Sequence, residues 1–414
     1  MKKKLFGIII LSLVLLSSVL GLVACGSMEK ASEGLKYALI NKNEYEVVGI
    51  GECEDTDIVI PSKYKNKPVT SIFESAFEDC RWLRSVVIPD SVTSIGKSAF
   101  KNCDSLTSVT ISNNVTSICE ETFNGCDKLS SIVIGDSVKS IGSSAFKDCD
   151  SLTRVRIPNS VTILGEEAFN GCDKLSSIVI GDSVKSIGSS AFKNCYSLAS
   201  VRIPNSVTRI SGSAFYNCTS LISVVIGDGV VAIGKGVFYG CKSLKSLTIP
   251  FVGTSKYGTI NNHFGYIFGA GKYSYNDDYV PSSLKTVIIT GGERIGSYAF
   301  AYCSSLTSIE MPNSVTTIEE GAFYECKSLV NPVIPNSVTS IGRIAFAYCL
   351  SIDVITIPNS VTSIGGYVFS ESDWLRRIVF NGTKEEWKAI NKDSYWYRNI
   401  SVTEVSCTNG WVDI

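Results

Sequence analysis

The sequence predicts a solenoid of α/β class, mostly β, whose parallel strands alternate with short helical turns in a curved or rod-like body. Three observations carry that prediction. Phenylalanine recurs every 23 residues, at 77, 100, 123, 146, 169, 192, 215 and 238 and again at 300, 323, 346 and 369. Cysteine follows three residues later in eleven of the twelve places, from Cys80 to Cys349, with Ser372 in the last. Apolar residues spaced as Leu106, Val109 and Ile111 then recur with the same period. A fixed period in the range of about 20–50 residues is the mark of stacked units, none of which buries its apolar face alone.

Within a unit such as Ile88 to Thr110, each element has a local cause. Val109 and Ile111 alternate at period two, as in a strand with one buried face. Proline follows the last apolar position at Pro89, Pro158, Pro204, Pro312, Pro335 and Pro358. It removes a ladder donor, so a turn comes next. Gly96 interrupts the chain, and Ala99, Phe100 and Cys103 stand at helical spacing, which predicts a short helical turn burying Phe and Cys. Stacked coils about 4.8 Å apart would align the phenylalanines into a spine.

Composition removes several kinds of function. Lys and Arg number 38 against 39 Asp and Glu, a net charge of -1, so no field gathers phosphates and nucleic acid is not an expected partner. His263 is the single histidine, which excludes a multi-histidine metal site and forces any triad onto that one position. No catalytic residue, metal or cofactor is expected. A hydrophobic fraction of 44% and a mean hydropathy of +0.19 supply ample core.

Lys2 to Lys4 and the apolar run Leu5 to Ala24 form an export signal, with a retained membrane helix as the alternative. Leu22-Val23-Ala24-Cys25 resembles the lipobox of bacterial lipoproteins. That resemblance implies a signal peptide over 1–24, acylation of Cys25 and a tether over 25–36, hence an extracytoplasmic, lipid-anchored, surface-exposed protein touching the membrane through lipid alone.

The repeat itself, I-P-x-S-V-x-x-I-G-x-x-A-F-x-x-C-x-S-L-x-x-V, resembles the BspA-type leucine-rich repeats of bacterial surface proteins. Leu35-Lys36-Tyr37, Tyr45-Glu46-Val47 and Ile58-Val59-Ile60-Pro61 resemble that family's lead-in, and Asn381 to Trp387 through Cys407 its closing segment. The expected organisation is an N-terminal cap over 37–68, a leucine-rich repeat solenoid over 69–380 and a C-terminal cap over 381–414. The resemblance implies a surface adhesin that binds an extended host or neighbouring-cell protein or glycan.

The cysteine ladder reads as small buried thiols filling the spine, with disulfides between neighbouring coils as the alternative, since no C-x-x-C pair suggests metal. Cys53, Cys119 and Cys407 stay unassigned. One unit, 249–289, is longer than the period by seventeen residues. Its Ile267-Phe268 stands where Ala-Phe is expected, so the segment reads as an extra coil with loops on both sides. Tyr257, His263, Tyr266, Tyr273 and Tyr275 are its candidate binding residues, although aromatic plugging of a widened coil is the preferred reading. His263 reads as an ordinary loop residue. Asp277 and Asp278, adjacent in extended chain, would point apart and make no catalytic pair.

Ligand recognition is expected on the outward strand positions. One outward column is mostly serine, including Ser131, Ser177 and Ser200; Arg154 joins it, and Arg377 closes the series. The next alternates Val133, Arg156, Val179, Arg202 and Val225, because residues 124–147 recur identically at 170–193. This predicts a weakly cationic strip with Arg156 and Arg202 two coils, about 10 Å, apart, against the plain alternative of a solvated sheet face. Trp374, Trp387, Trp396 and Trp411 read as a lid over the last coil. A carboxylate-dependent glycan-processing enzyme and a passive envelope spacer are the competing functions.

Overall fold

The computed structural model describes residues 30–256 and 262–414. The lysines, apolar run, Cys25 and the tether as far as residue 29 lie outside the described residues, as does Tyr257. Among the described residues, no helix is long and apolar enough to cross a membrane.

The chain is a parallel solenoid with two strand ladders. The outer ladder is built from the Leu-x-x-Val-x-Ile segments, for example Ser200–Ile203, Ser223–Ile226, Ser246–Ile249 and Thr286–Ile289. Equivalent residues pair in register, Ser200 with Ser223 and Ser246 with Thr286. Alternation holds: Ser200 and Arg202 are exposed while Val201 and Ile203 are buried. The ladder is not one sheet. It divides between Ser131–Val133 and Arg154–Arg156, and again between Ser177–Val179 and Ser200–Ile203. Near Val333 it shrinks to an isolated bridge to Thr356, because Pro332 withholds an amide there.

A second ladder uses two-residue strands, such as Ser94–Ile95 and Ser117–Ile118, drawn from the Val-x-Ser-Ile stretch after each proline or glycine. These strands extend an eleven-stranded sheet from the N-terminal cap to Ala232–Ile233. The ladder resumes at Arg294–Ile295, and the long coil is responsible for the gap.

The expected helical turn is not formed. Phe100, Ser98 and Asn102 send their amides to Thr122, Glu120 and Asn124 of the next coil at 2.9, 3.0 and 2.7 Å, and only the alternate amides of Ala99, Lys101 and Cys103 bond back three residues within the coil, so no continuous helical ladder forms. Ser98 and Asn102 adopt φ of 53° and 57°, which folds the segment into successive tight turns. Burial follows as expected: Phe77 to Phe238 stack with centroids 5.0–5.7 Å apart, and Phe300 to Phe369 at 5.0–6.0 Å.

Both ends are closed by antiparallel pairs. Lys36–Leu39 pairs with Tyr45–Gly49 at one end, and Glu404–Cys407 with Gly410–Asp413 at the other. A helix at Lys384–Ala389, fixed by a capping box between Thr383 and Glu386, buries Trp387 against Phe380 and Trp396. The four-tryptophan lid is thus half right: Trp374 and Trp411 stay 70% and 53% exposed.

Candidate functional site

On the outer face, Ser131, Arg154, Arg156, Ser177, Ser200, Arg202 and Arg377 are all exposed. Strand register places Arg154 beside Ser177, Arg156 beside Val179 and Arg202 beside Val225. Val133 and Val179, 58% and 57% exposed, flank Arg156. Arg377 does not join this group, since it sits in the separate C-terminal sheet beside Val354. The strip is also not simply cationic. Arg156 pairs with Asp136 at 3.4 Å, and a row of acids borders the strand ends. The amides of Asp136, Asp182 and Asp228 donate to the side-chain oxygens of Asn113, Asn159 and Asn205. This Asn-to-Asp ladder was visible in the sequence as an alternation at the 23-residue step, Asn113, Asp136, Asn159, Asp182, Asn205 and Asp228.

Among the described residues the cysteines are free thiols, and all but the partly exposed Cys119 are buried. From Cys103 to Cys241 each sulfur donates to the carbonyl of the phenylalanine 26 residues earlier, at 3.1–3.2 Å. Burial pushes the thiols up, Cys80 to about 11 and Cys241 to about 12, so they are poor nucleophiles. Ser372 makes the same bond to Phe346 with its hydroxyl at 2.9 Å. Spacing alone gives no sign of this directional role.

The long coil has two halves. Phe264–Phe268 forms a short helical turn that bridges the spine, with Phe268 6.2 Å from Phe238 and Phe264 4.9 Å from Phe300. Phe238 donates its amide to Ile267 at 2.9 Å, so Ile267-Phe268 does occupy the expected slot. His263 is no ordinary loop residue. It is buried, with Nδ1 3.1 Å from Asn276 Oδ1, and burial holds its imidazole below the usual range. Asn276 also accepts from the Gly265 amide at 3.0 Å and donates to the Ala301 carbonyl at 2.8 Å. That last bond replaces one the regular coil makes from its backbone. The other half, Tyr273–Tyr275 and the turn of helix Asn276–Tyr279, lies outside, with Tyr273 and Tyr275 exposed and Tyr266 partly buried. Asp277 and Asp278 sit on that turn, and Asp277 accepts a bond from Ser304. A cleft of about 770 Å³, lined by Phe251, Arg294 and Thr316 among others, marks the break in the second ladder.

A column of acids runs along the turn edge after the cysteines: Asp104, Asp127, Asp150 and Asp173. Burial, then repulsion from neighbouring carboxylates, raises Asp127, Asp150 and Asp173 above the ordinary range. Among the described residues, no group of three or more His, Cys, Asp or Glu side chains is placed to hold a metal ion.

Comparison with known proteins agrees with this geometry. A family profile described as BspA type leucine rich repeat region (6 copies) matches residues 51–176, 139–263 and 277–409. A leucine-rich repeat protein from Bacteroides ovatus is similar at 29% identity and a TM-score of 0.52, over 90% of this chain and 99% of that one. A leucine rich cell surface protein from Faecalibacterium prausnitzii shares 31% identity over 89% and 99% of the two chains, with a TM-score of 0.45. A leucine-rich repeat protein of T. pallidum shares 29% identity over 52% and 90%, with a TM-score of 0.40. No curated protein matches.

Proposed function

Because the chain belongs to the BspA-type leucine-rich repeat family, we propose that it is a surface binding protein, an adhesin that reads an extended protein or glycan along its outer strand face. The observation that carries this reading is the in-register exposure of Arg154, Arg156 and Arg202 between serines and valines on a rigid scaffold. Parallel coils fix those side chains at a regular spacing, and a ligand that lies along the solenoid axis meets many shallow contacts at once. Export by the signal peptide and anchorage through an acylated Cys25 place this face outside the cell.

The competing enzyme reading finds little support. A flat face of Ser, Val and Arg holds no convergent acid pair in a water-excluding pocket.

Binding of the purified chain to matrix proteins, glycan arrays and whole cells tests the proposal. Saturable binding that falls at least tenfold in the double variant Arg156→Glu, Arg202→Glu supports it. Turnover of a polysaccharide, or no binding to any surface, overturns it. Incorporation of labelled palmitate, abolished by Cys25→Ala, tests the anchor separately.

A further inference from the structure

Tyrosines gather where the long coil leaves the regular stack. Tyr216 and Tyr239 stack at 4.9 Å in the register of the coils. Tyr239 then meets Tyr279 of the long coil at 6.1 Å, with ring planes 59° apart. Gly269, at φ 107°, lies against both: an added Cβ would sit 3.0 Å from Tyr239 Cδ2 and 3.4 Å from Tyr279 Cδ1. The two rings therefore rest on bare backbone, and each stays about 40% exposed, at 40% and 39%. Beside them a cleft of about 630 Å³ opens, lined also by Asn217, Lys242, Asp278 and Ser305.

The chemistry of the lining narrows the occupant. A pyranose has an apolar C–H face and a rim of hydroxyls. Amphipathic rings flanked by a carboxylate, an ammonium and an amide complement both. An extended peptide would instead seek a free strand edge. None is offered here, because the amides of Asn217, Lys242 and Val280 are bonded to Tyr239, Gly240 and Asn276. Asp277 and Asp278 stand together at the cleft, which disfavours phosphates, sulfates and acidic sugars. Asp277 is engaged by Ser304, whereas Asp278 and Lys242 line the cleft beside it.

We propose that this cleft binds a neutral glycan, one pyranose of which lies against Tyr239 and Tyr279 while Asp278 and Lys242 take its hydroxyls. The proposal deepens the recognition reading by naming a ligand class, but it concerns a surface separate from the strand face.

Calorimetric titration of the full chain with neutral hexasaccharides of glucose, xylose, mannose and N-acetylglucosamine tests it, with hyaluronan and heparin fragments as acidic controls. The expected result is binding of at least one neutral oligosaccharide, with hydrogen-exchange protection confined to 239–242 and 277–282. Tyr279→Ala and Asp278→Ala should each weaken that binding at least tenfold with an unchanged melting curve, whereas Arg156→Glu with Arg202→Glu should leave it intact. If Tyr279→Ala alters the melt, Asp278→Ala, on an exposed side chain, decides. The proposal fails if no neutral glycan binds, if acidic fragments bind better, or if binding survives Asp278→Ala. Loss of glycan binding in the arginine double variant alone would move the ligand to the strand face and sink this cleft while leaving the surface-binding reading in place.

Discussion

The thiol of Cys172 donates a hydrogen bond to the carbonyl oxygen of Phe146 in the preceding coil, at 3.1 Å. A helix would have used that carbonyl within its own turn. The tight turn leaves it pointing along the solenoid axis, where water cannot reach, and sulfur is the donor that fits. Ser372 shows that a hydroxyl does the same work at 2.9 Å.

Cys172→Ser is therefore expected to stay within about 1 kcal/mol of the parent, while Cys172→Val, close in volume but without a donor, leaves the Phe146 carbonyl unsatisfied and loses about 1–3 kcal/mol. Denaturant unfolding of the two variants checks the ordering. Equal losses would mean that only volume matters at this position.

Asn276 is the keystone of the long coil, with three bonds from one buried amide, to His263, Gly265 and Ala301. Asn276→Leu should destabilise by about 3 kcal/mol or more, since it strands several buried polar groups. Hydrogen exchange should show faster opening around 263–268 and 299–303 than around Phe146. Uniform protection in the variant would contradict the role assigned to this amide.

Ile344 carries φ of 49° at a slot that other coils fill with Ser98, Ser190, Gly236 or Gly321. A β-branched side chain in the left-handed region is strained by roughly 1–2 kcal/mol. Ile344→Asn should raise stability by about 1 kcal/mol, seen as a higher melting temperature. A lower one would show that packing of the partly buried isoleucine outweighs the backbone.

Asp150 has its carboxyl raised by burial first and by Asp173 and Asp127 next. A carboxyl whose folded value exceeds its unfolded one favours folding when protonated, so its contribution is full at low pH and is lost as pH rises through the raised value. Asp150→Asn should melt higher than the parent at pH 7, with the advantage shrinking as pH falls toward about 4. Parallel melting-versus-pH curves for the two proteins would rule out that carboxyl as a source of repulsion.

Much of the fold was legible because period is a global signal. Every Phe at the 23-residue step is buried, and the strand alternation at Arg154, Val155 and Arg156 reads directly from the apolar pattern. Helical spacing misled at Ala99, Phe100 and Cys103, since the same separation arises when amides bond to the next coil, and single-chain periodicity does not report bonds 22 residues away. The second ladder escaped notice because Ser94–Ile95 is two residues long, too short to show alternation. His263 was misplaced for a different reason. Its burial depends on Asn276, thirteen residues further on, and nothing in composition links them. The outward arginines were found, but Asp136 beside Arg156 was not, because charge pairing across coils requires the register.

The recurrence of residues 124–147 at 170–193 makes the length of this molecule editable. Excision of 124–169 would join Phe123 to Asn170 with the local sequence unaltered through Lys193, so the shortened chain meets no foreign junction. Two coils, about 10 Å of reach, would vanish, and Arg202 would follow Val179 just as it does now. A lineage carrying such a segment can lengthen or shorten its reach by copying or losing it whole, without inventing a new core at either seam.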